Sequence, residues 1–253
     1  ARDGAAIGSQ IFHGTWSSPS LATVGTRTLV FFGGGTGVCY AFEALAERAA
    51  AAFDKRPGTL KTAWSFHCDP AGRKDKPHDF HNNRREGPST IVAMPVFHKN
   101  RVYVSAGGDP WHGKQQAWLK CIDARGTGDV TRSGPVWSYP LEKHCISAPS
   151  VAGGLAYVGD LGGTIHCVDA ETGKPHWTHK VRGEIWASTL LADGKVYVGT
   201  KRGDFWVLAA GRDKKVLHTA RFGAGIAATA TAANGVLYVA TYGRLWALRK
   251  TGN

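Results

Sequence analysis

Two long segments between predicted strands concentrate residues that could bind a ligand. Segments 69–89 and 107–116 together contribute His78, His81, Arg84, Arg85, Trp111 and His112. Histidines three residues apart occur among metal ligands, and a tryptophan beside cations can stack on a planar or sugar-like ligand. The alternative is a solvated loop, since charge-rich loops are usually exposed. We therefore treat the six residues as a candidate ligand site and assign no metal to it.

A repeated pattern shows which strands position these segments. The chain holds five copies of a strand rich in small residues, followed by a turn and an apolar strand centred on an aromatic residue. The aromatic centres are Phe31, Tyr103, Tyr157, Tyr197 and Tyr238. The last three copies follow one another at about 40 residues, which is the period of a four-stranded propeller blade. One such sheet has two apolar faces, so neighbouring sheets must stack to bury them.

The predicted fold is all-β, a single domain built as a β-propeller of four-stranded antiparallel blades. The blades span approximately residues 11–68, 87–140, 144–181, 184–222 and 225–253, with residues 1–5 as the remnant of a preceding outer strand. A β-sandwich would not repeat in sequence, and a β-helix has a shorter period. Second-to-third-strand and blade-to-blade connections emerge on one face of a propeller. We therefore expect segments 69–89 and 107–116 to meet there.

A short motif closes the third copy and carries a resemblance to a known family. Asp169 can bond the turn backbone, Gly173 supplies a left-handed residue, and Trp177 fills the seam to the next blade. The second copy keeps Asp123 and Trp137 around a longer turn. The pattern resembles the pyrroloquinoline-quinone (PQQ)-like propellers. That superfamily includes quinoprotein dehydrogenases and the outer-membrane assembly lipoprotein propeller.

The number of blades is the main open point of the sequence. The fourth copy has Ala209 and Leu217 where the third has its Asp and Trp, and the fifth reaches only its third predicted strand. About four and a half blades are therefore predicted. The resemblance implies seven or eight, so the chain would be the C-terminal part of a larger propeller. Alternatively, the N-terminus closes a five-bladed ring, although residues 1–3 make a poor closing strand.

The resemblance implies two possible functions. The favoured one is a non-catalytic propeller, periplasmic or otherwise extracytoplasmic, that binds a protein partner, an envelope polymer or a small ligand. The alternative is a quinoprotein dehydrogenase that oxidises alcohols or sugars with PQQ and Ca²⁺. No adjacent cysteine pair and no matching calcium ligand set is present, and Asp109, Asp160 and Asp204 lie in predicted turns, where Asp is common. We assign no catalytic residue, and PQQ and Ca²⁺ belong only to the alternative.

Charge narrows the class of partner. The chain has 31 basic and 19 acidic residues and a net charge of +12, which favours an acidic protein or an anionic envelope component. No basic run or recognition motif indicates a nucleic acid. No apolar run approaches the ~18 residues that a membrane-spanning helix requires. Further blades, from this chain or another, are an additional predicted requirement.

The cysteines follow the repeat rather than a reactive motif. Cys121 and Cys167 stand where other copies have Ala41, Val207 and Ala247, so the position requires a small buried residue and not a thiol. Equivalent positions in neighbouring blades are too far apart for a disulfide. We predict that both thiols are free.

Overall fold

In a computed structural model of the chain, residues 16–45, 60–72, 86–110 and 113–249 are described. Within these residues the regular secondary structure is entirely β, and no helix long and apolar enough to cross a membrane is found. The chain divides into two compact units, which are residues 1–140 and residues 141–253.

The first unit is built from two sheets. The first follows the strand order β1 (Ser20–Val24), β2 (Arg27–Gly33), β3 (Val38–Glu43), β4 (Thr62–His67) and β9 (Gly128–Asp129). The second contains β5 (Ser89–Thr90), β6 (Val96–His98), β7 (Arg101–Gly108), β8 (Ala117–Asp123) and β10 (Pro135–Leu141). Strand β9 pairs in parallel with β4 and thus adds to the edge of the preceding sheet.

Three meandering antiparallel sheets make up the second unit. The third sheet contains β11 (Ser150–Ala152), β12 (Leu155–Gly159), β13 (Thr164–Asp169) and β14 (Pro175–Lys180). The fourth contains β15 (Leu190–Ala192), β16 (Lys195–Gly199), β17 (Asp204–Ala209) and β18 (Val216–Arg221). The described part of the fifth contains β19 (Thr231–Ala233), β20 (Val236–Ala240) and β21 (Leu245–Arg249).

The cores of the first three sheets contain a row of aromatic, small and aromatic side chains. In the third sheet Tyr157 pairs with Cys167, which pairs with Trp177. The two aromatic rings lie 5.9 Å apart above the cysteine, so a larger residue at 167 would separate them. The indole Nε1 donates to the carbonyl of Gly211 in the next sheet at 3.0 Å. The motif tryptophan therefore fills the seam, as predicted.

The same row recurs in the first unit. Phe31 pairs with Ala41, which pairs with Trp64, and the two rings are 5.8 Å apart. Trp64 donates its indole N–H to the carbonyl of Ala124 at 2.9 Å. Tyr103 and Trp137 are likewise 5.8 Å apart. Trp64 thus belongs to the same structural set, which the sequence did not reveal because a long insertion separates it from Glu43.

The small residues of the row include the two cysteines predicted to be free. All five cysteines are buried and unbridged, which confirms the prediction for Cys121 and Cys167. Burial raises the pKa of Cys68 and of Cys167 to about 12 in each case, and raises the pKa of Cys39 well above its usual value. These three thiols stay protonated at neutral pH, and protonated thiols are poor nucleophiles.

In the third sheet, the acidic residue of the motif organises the turn after the third strand. The Asp169 Oδ1 accepts the backbone N–H groups of Glu171 and Thr172 at 3.0 and 2.9 Å, while Gly173 has a φ of 70°. Asp169 also donates its own N–H to the carbonyl of Lys174 at 2.8 Å. The motif therefore acts as a turn former, as the sequence predicts.

One assignment in the fourth copy was wrong by a residue. The sequence alignment placed Leu217 at the tryptophan position, but Val207, the equivalent of Cys167, pairs with His218. Ala209 donates to the carbonyl of Lys215 at 2.9 Å, so this turn is one residue longer than that of the third sheet. His218 therefore occupies the place of Trp177.

Candidate functional site

The two connections expected to form a ligand face do meet. Asp69, from the first, forms a buried ion pair with Lys114, from the second. Ser89 also donates its hydroxyl to Asp69 Oδ2 at 2.7 Å. Burial opposes ionisation of Asp69, but the hydrogen bonds from Lys114 and Ser89 outweigh it and hold the pKa of Asp69 below its usual value. The connections are thus joined by a charged contact that the sequence did not predict.

The six candidate ligand residues lie between Asp69 and Lys114 in the sequence. They are His78, His81, Arg84, Arg85, Trp111 and His112, and all of them fall outside the described residues. Their convergence stays a prediction. The ion pair shows that the ends of the two segments, Asp69 and Lys114, are in contact.

A second lysine, Lys120, and the ring of Trp118 lie close to this ion pair. Lys120 lies 5.1 Å from the ring centroid of Trp118, and Lys114 lies 5.9 Å from it. Burial lowers the pKa of Lys120, while the negative charge of Asp69 opposes that effect. The region therefore combines partly desolvated cations with one aromatic ring.

Polar residues close the second-to-third-strand turns of the second unit. The Asp160 Oδ1 accepts the N–H of Thr164 at 3.0 Å, and Thr200 Oγ1 accepts the N–H of Asp204 at 3.2 Å. In the fifth sheet, Thr241 Oγ1 accepts the N–H of Arg244 at 3.1 Å. Asp160 thus occupies a turn-capping position that threonine fills in the sister sheets.

Asp160 differs from those threonines because it also binds a histidine. Its Oδ2 lies 3.1 Å from His166 Nε2 and 3.3 Å from the backbone nitrogen of Lys143. Asp160 and His166 are both buried, at 0% and 1% exposed. The carboxylate is enclosed by protein donors, which favours a structural role. Sequence reasoning missed the pair because His166 stands where other copies have Tyr40, Lys120 or tryptophans.

The other two acids singled out from the sequence have different environments. Asp204 lies 3.9 Å from Arg221 across the β17–β18 pair. The carbonyl of Asp109 accepts the N–H of Gly113 at 2.8 Å, which closes a turn. Within the described ranges, no three His, Cys, Asp or Glu side chains are grouped to hold a metal ion.

Comparison with known proteins identifies the family. A family model described as outer membrane protein assembly factor BamB matches residues 115–253. The chain belongs to this family of PQQ-like repeat proteins.

The solved structures agree on the fold. The crystal structure of BamB from Moraxella catarrhalis superposes with a TM-score of 0.61 at 15% identity, over 88% of this chain and 55% of that one. The computationally designed Ika8 protein gives a TM-score of 0.60 at 13% identity, over 93% of this chain and 60% of that one. The fold is therefore the all-β propeller predicted from the repeat, and the chain spans little more than half of either structure.

A curated enzyme shows a shorter similarity. The quinohemoprotein alcohol dehydrogenase of Comamonas testosteroni is 29% identical over 114 residues, which cover 40% of this chain and 16% of the enzyme. Asp160 and Asp204 do not fit a Ca²⁺ site, since Asp160 accepts hydrogen bonds on both carboxylate oxygens and Asp204 lies beside an arginine. We derive no catalytic step through these groups.

Proposed function

We propose that this chain is a non-catalytic β-propeller module that acts outside the cytoplasm, in the periplasm, as a scaffold for a protein partner in outer-membrane assembly. The observation that carries the proposal is the BamB family match over residues 115–253. Binding surfaces on regular repeats need no catalytic set, because loops present the contacts and the sheets hold them in place.

The turn chemistry supports this proposal. Acids that could have served a reaction are used to close turns or pair with neighbours, as in Asp160 with His166 and Asp169 with its own turn. The net charge of +12 would attract an acidic partner or an anionic envelope component. Further blades would enlarge the same loop-bearing surface.

Crosslinking in the native host tests the proposal. The tagged full chain should be released with the periplasmic fraction and should crosslink reproducibly to one component of the outer-membrane assembly machinery. A tagged periplasmic protein of similar charge is the control. Recovery in the cytoplasmic fraction, or the same crosslinked proteins as the control, would contradict the proposal.

The dehydrogenase is a second candidate because of the 29% identity to the Comamonas enzyme. Incubation of the chain with PQQ and Ca²⁺, followed by dye reduction over a panel of alcohols and sugars, tests it directly. Substrate-dependent bleaching would replace the scaffold proposal with an enzyme. Absence of bleaching over the whole panel would remove the enzyme.

A further inference from the structure

A lysine lies between two aromatic rings at the turns of the fourth and fifth sheets. Lys201 Nζ is 3.7 Å from the ring centroid of Trp186 and 5.3 Å from that of Tyr242. Backbone hydrogen bonds set this arrangement, since Lys201 N–H donates to the carbonyl of Glu184 and Tyr242 N–H to that of Gly225, both at 2.9 Å. These bonds fix the backbone beside the rings, and the contact with the Trp186 ring positions the ammonium group.

A glycine makes the close approach possible. A Cβ at residue 225 would lie 2.5 Å from the Lys201 carbonyl oxygen and 2.6 Å from the Tyr242 ring. The third sheet does not need this cluster, because Leu161 stands at the lysine position and Ile146 at the Trp186 position. The lysine between two rings is thus an addition to the blade rather than a requirement of it.

Two arginines extend the positive charge along the same turns. Arg202 lies against Gly183, where a Cβ would meet the Arg202 Cγ at 2.6 Å, and Arg244 lies 6.0 Å from the Trp246 ring centroid. Within the described ranges, Lys201, Arg202 and Arg244 form no ion pair. Three cations are therefore available to an incoming anion.

The acids near these turns are already engaged. Glu184 accepts the indole N–H of Trp186 at 2.8 Å, and Asp204 lies 3.9 Å from Arg221. Glu142 lies 3.1 Å from Lys180. The indole is neutral, so Glu184 keeps its negative charge, whereas Asp204 and Glu142 are balanced by their partners. Lys201, Arg202 and Arg244 outnumber Glu184, and the local charge is positive.

We propose that Trp186, Lys201, Arg202, Tyr242 and Arg244 form a basic aromatic surface that binds an acidic, extended polypeptide segment of the partner. This inference rests on the proposed function and names the surface and the partner chemistry. Carboxylates pair with the three cations, and stacking on Trp186 restricts the lysine before binding, which lowers the entropy lost on association. A sugar is the poorer fit, because Lys201 covers the face of Trp186 on which a sugar would stack.

Fluorescence anisotropy with a labelled oligoglutamate peptide tests the surface. In a triple variant, Lys201→Gln, Arg202→Gln and Arg244→Gln, we expect the Kd to rise at least about tenfold, as three exposed ion pairs of ~0.5 kcal/mol each predict. The matched control, Lys174→Gln, Lys214→Gln and Lys215→Gln, removes the same charge from exposed positions at the third-to-fourth-strand turns. Its Kd should change less than about twofold, since distant exposed charges are screened by salt.

A second variant separates stacking from charge. Trp186→Ala with Tyr242→Ala keeps all three cations but removes the support of Lys201, so binding should weaken less than in the triple variant and keep its salt dependence. Circular dichroism confirms that each variant is folded. Equal weakening in both triple variants would reduce the effect to net charge and overturn the proposal, as would tighter binding to polygalacturonate than to oligoglutamate. Neither result depends on the crosslinking experiment, so the scaffold function would stand or fall separately.

Discussion

The third and fourth sheets share one strand plan but differ in how they seal the seam that follows. In the third, Trp177 lies beside Tyr157 and reaches the carbonyl of Gly211. In the fourth, His218 takes the tryptophan position and is exposed. A pocket of about 520 Å³ lies beside Tyr197 and Leu248, and His218 is not part of its lining. The difference teaches that strand pairing alone forms a blade, and that the same strand plan can carry either a buried tryptophan or an exposed histidine at the seam.

Removing the seam tryptophan should give the largest effect. Trp177→Ala should lower the free energy of unfolding by about 3–5 kcal/mol, because it leaves a large void and removes the indole hydrogen bond to Gly211. His218→Ala, at the equivalent exposed site, should stay within about 0.5 kcal/mol. Denaturant titration of both variants measures the contrast. Equal losses would mean that the two seams are sealed alike.

Breaking the buried Asp160–His166 pair should give the second largest loss of stability. Asp160→Ala leaves the Thr164 amide and His166 without their carboxylate, so a loss of about 3 kcal/mol is expected. Thr200→Ala removes one hydroxyl hydrogen bond from the sister turn and should cost about 1 kcal/mol. Thermal unfolding of the two variants provides the comparison. A smaller effect at Asp160 than at Thr200 would contradict the structural role.

Restoring the missing tryptophan should have a moderate effect of the opposite sign. His218→Trp places an indole where the third sheet has one and should raise stability by about 1 kcal/mol. Leu217→Trp places the same side chain one residue away, on the other side of the strand, and should not stabilise. If both variants behave alike in denaturant titration, the pairing of Val207 with His218 does not define the seam position.

The smallest expected difference between the two sheets is in how their stability depends on acidic pH. Burial raises the pKa of Asp169, but hydrogen bonds from Thr172 and Glu171 outweigh it and lower that pKa below its usual value. Its stabilisation is therefore present above the unfolded pKa of about 4 and disappears as pH falls through the folded pKa. Asp169→Asn should lose less stability than the native chain between about pH 5 and pH 3. Ala209→Ser, at the matching site of the fourth sheet, should leave the dependence of the free energy of unfolding on pH unchanged. Denaturant titration at several pH values measures both variants.

The repeat predicted the fold because its signals are local. Each aromatic centre lies in a second strand, and Asp169 with Gly173 forms the predicted turn. The seam position in the fourth sheet was misassigned because one extra turn residue shifts the pairing, and turn length is invisible to spacing when the motif residues are lost.

The site was less predictable because it depends on contacts between distant residues. The meeting of the two connections followed from topology, but the Asp69–Lys114 pair joins residues far apart in sequence. The sequence around Asp160 does not distinguish it from Thr200, which caps the equivalent turn of the fourth sheet. Lys201 likewise lies near Tyr242 only through the packing of successive sheets.

The hydrogen bond that closes the third-to-fourth-strand turn has a consequence for how such a chain can be altered. Asp169 makes it to Lys174 across a short turn, Asp123 to Gly134 across a longer one, and Glu43 to Lys61 across the longest. The same anchor therefore tolerates loops of very different size, and longer loops add little closure entropy. New peptide sequences could therefore be inserted into these hairpin turns without loss of the blade structure.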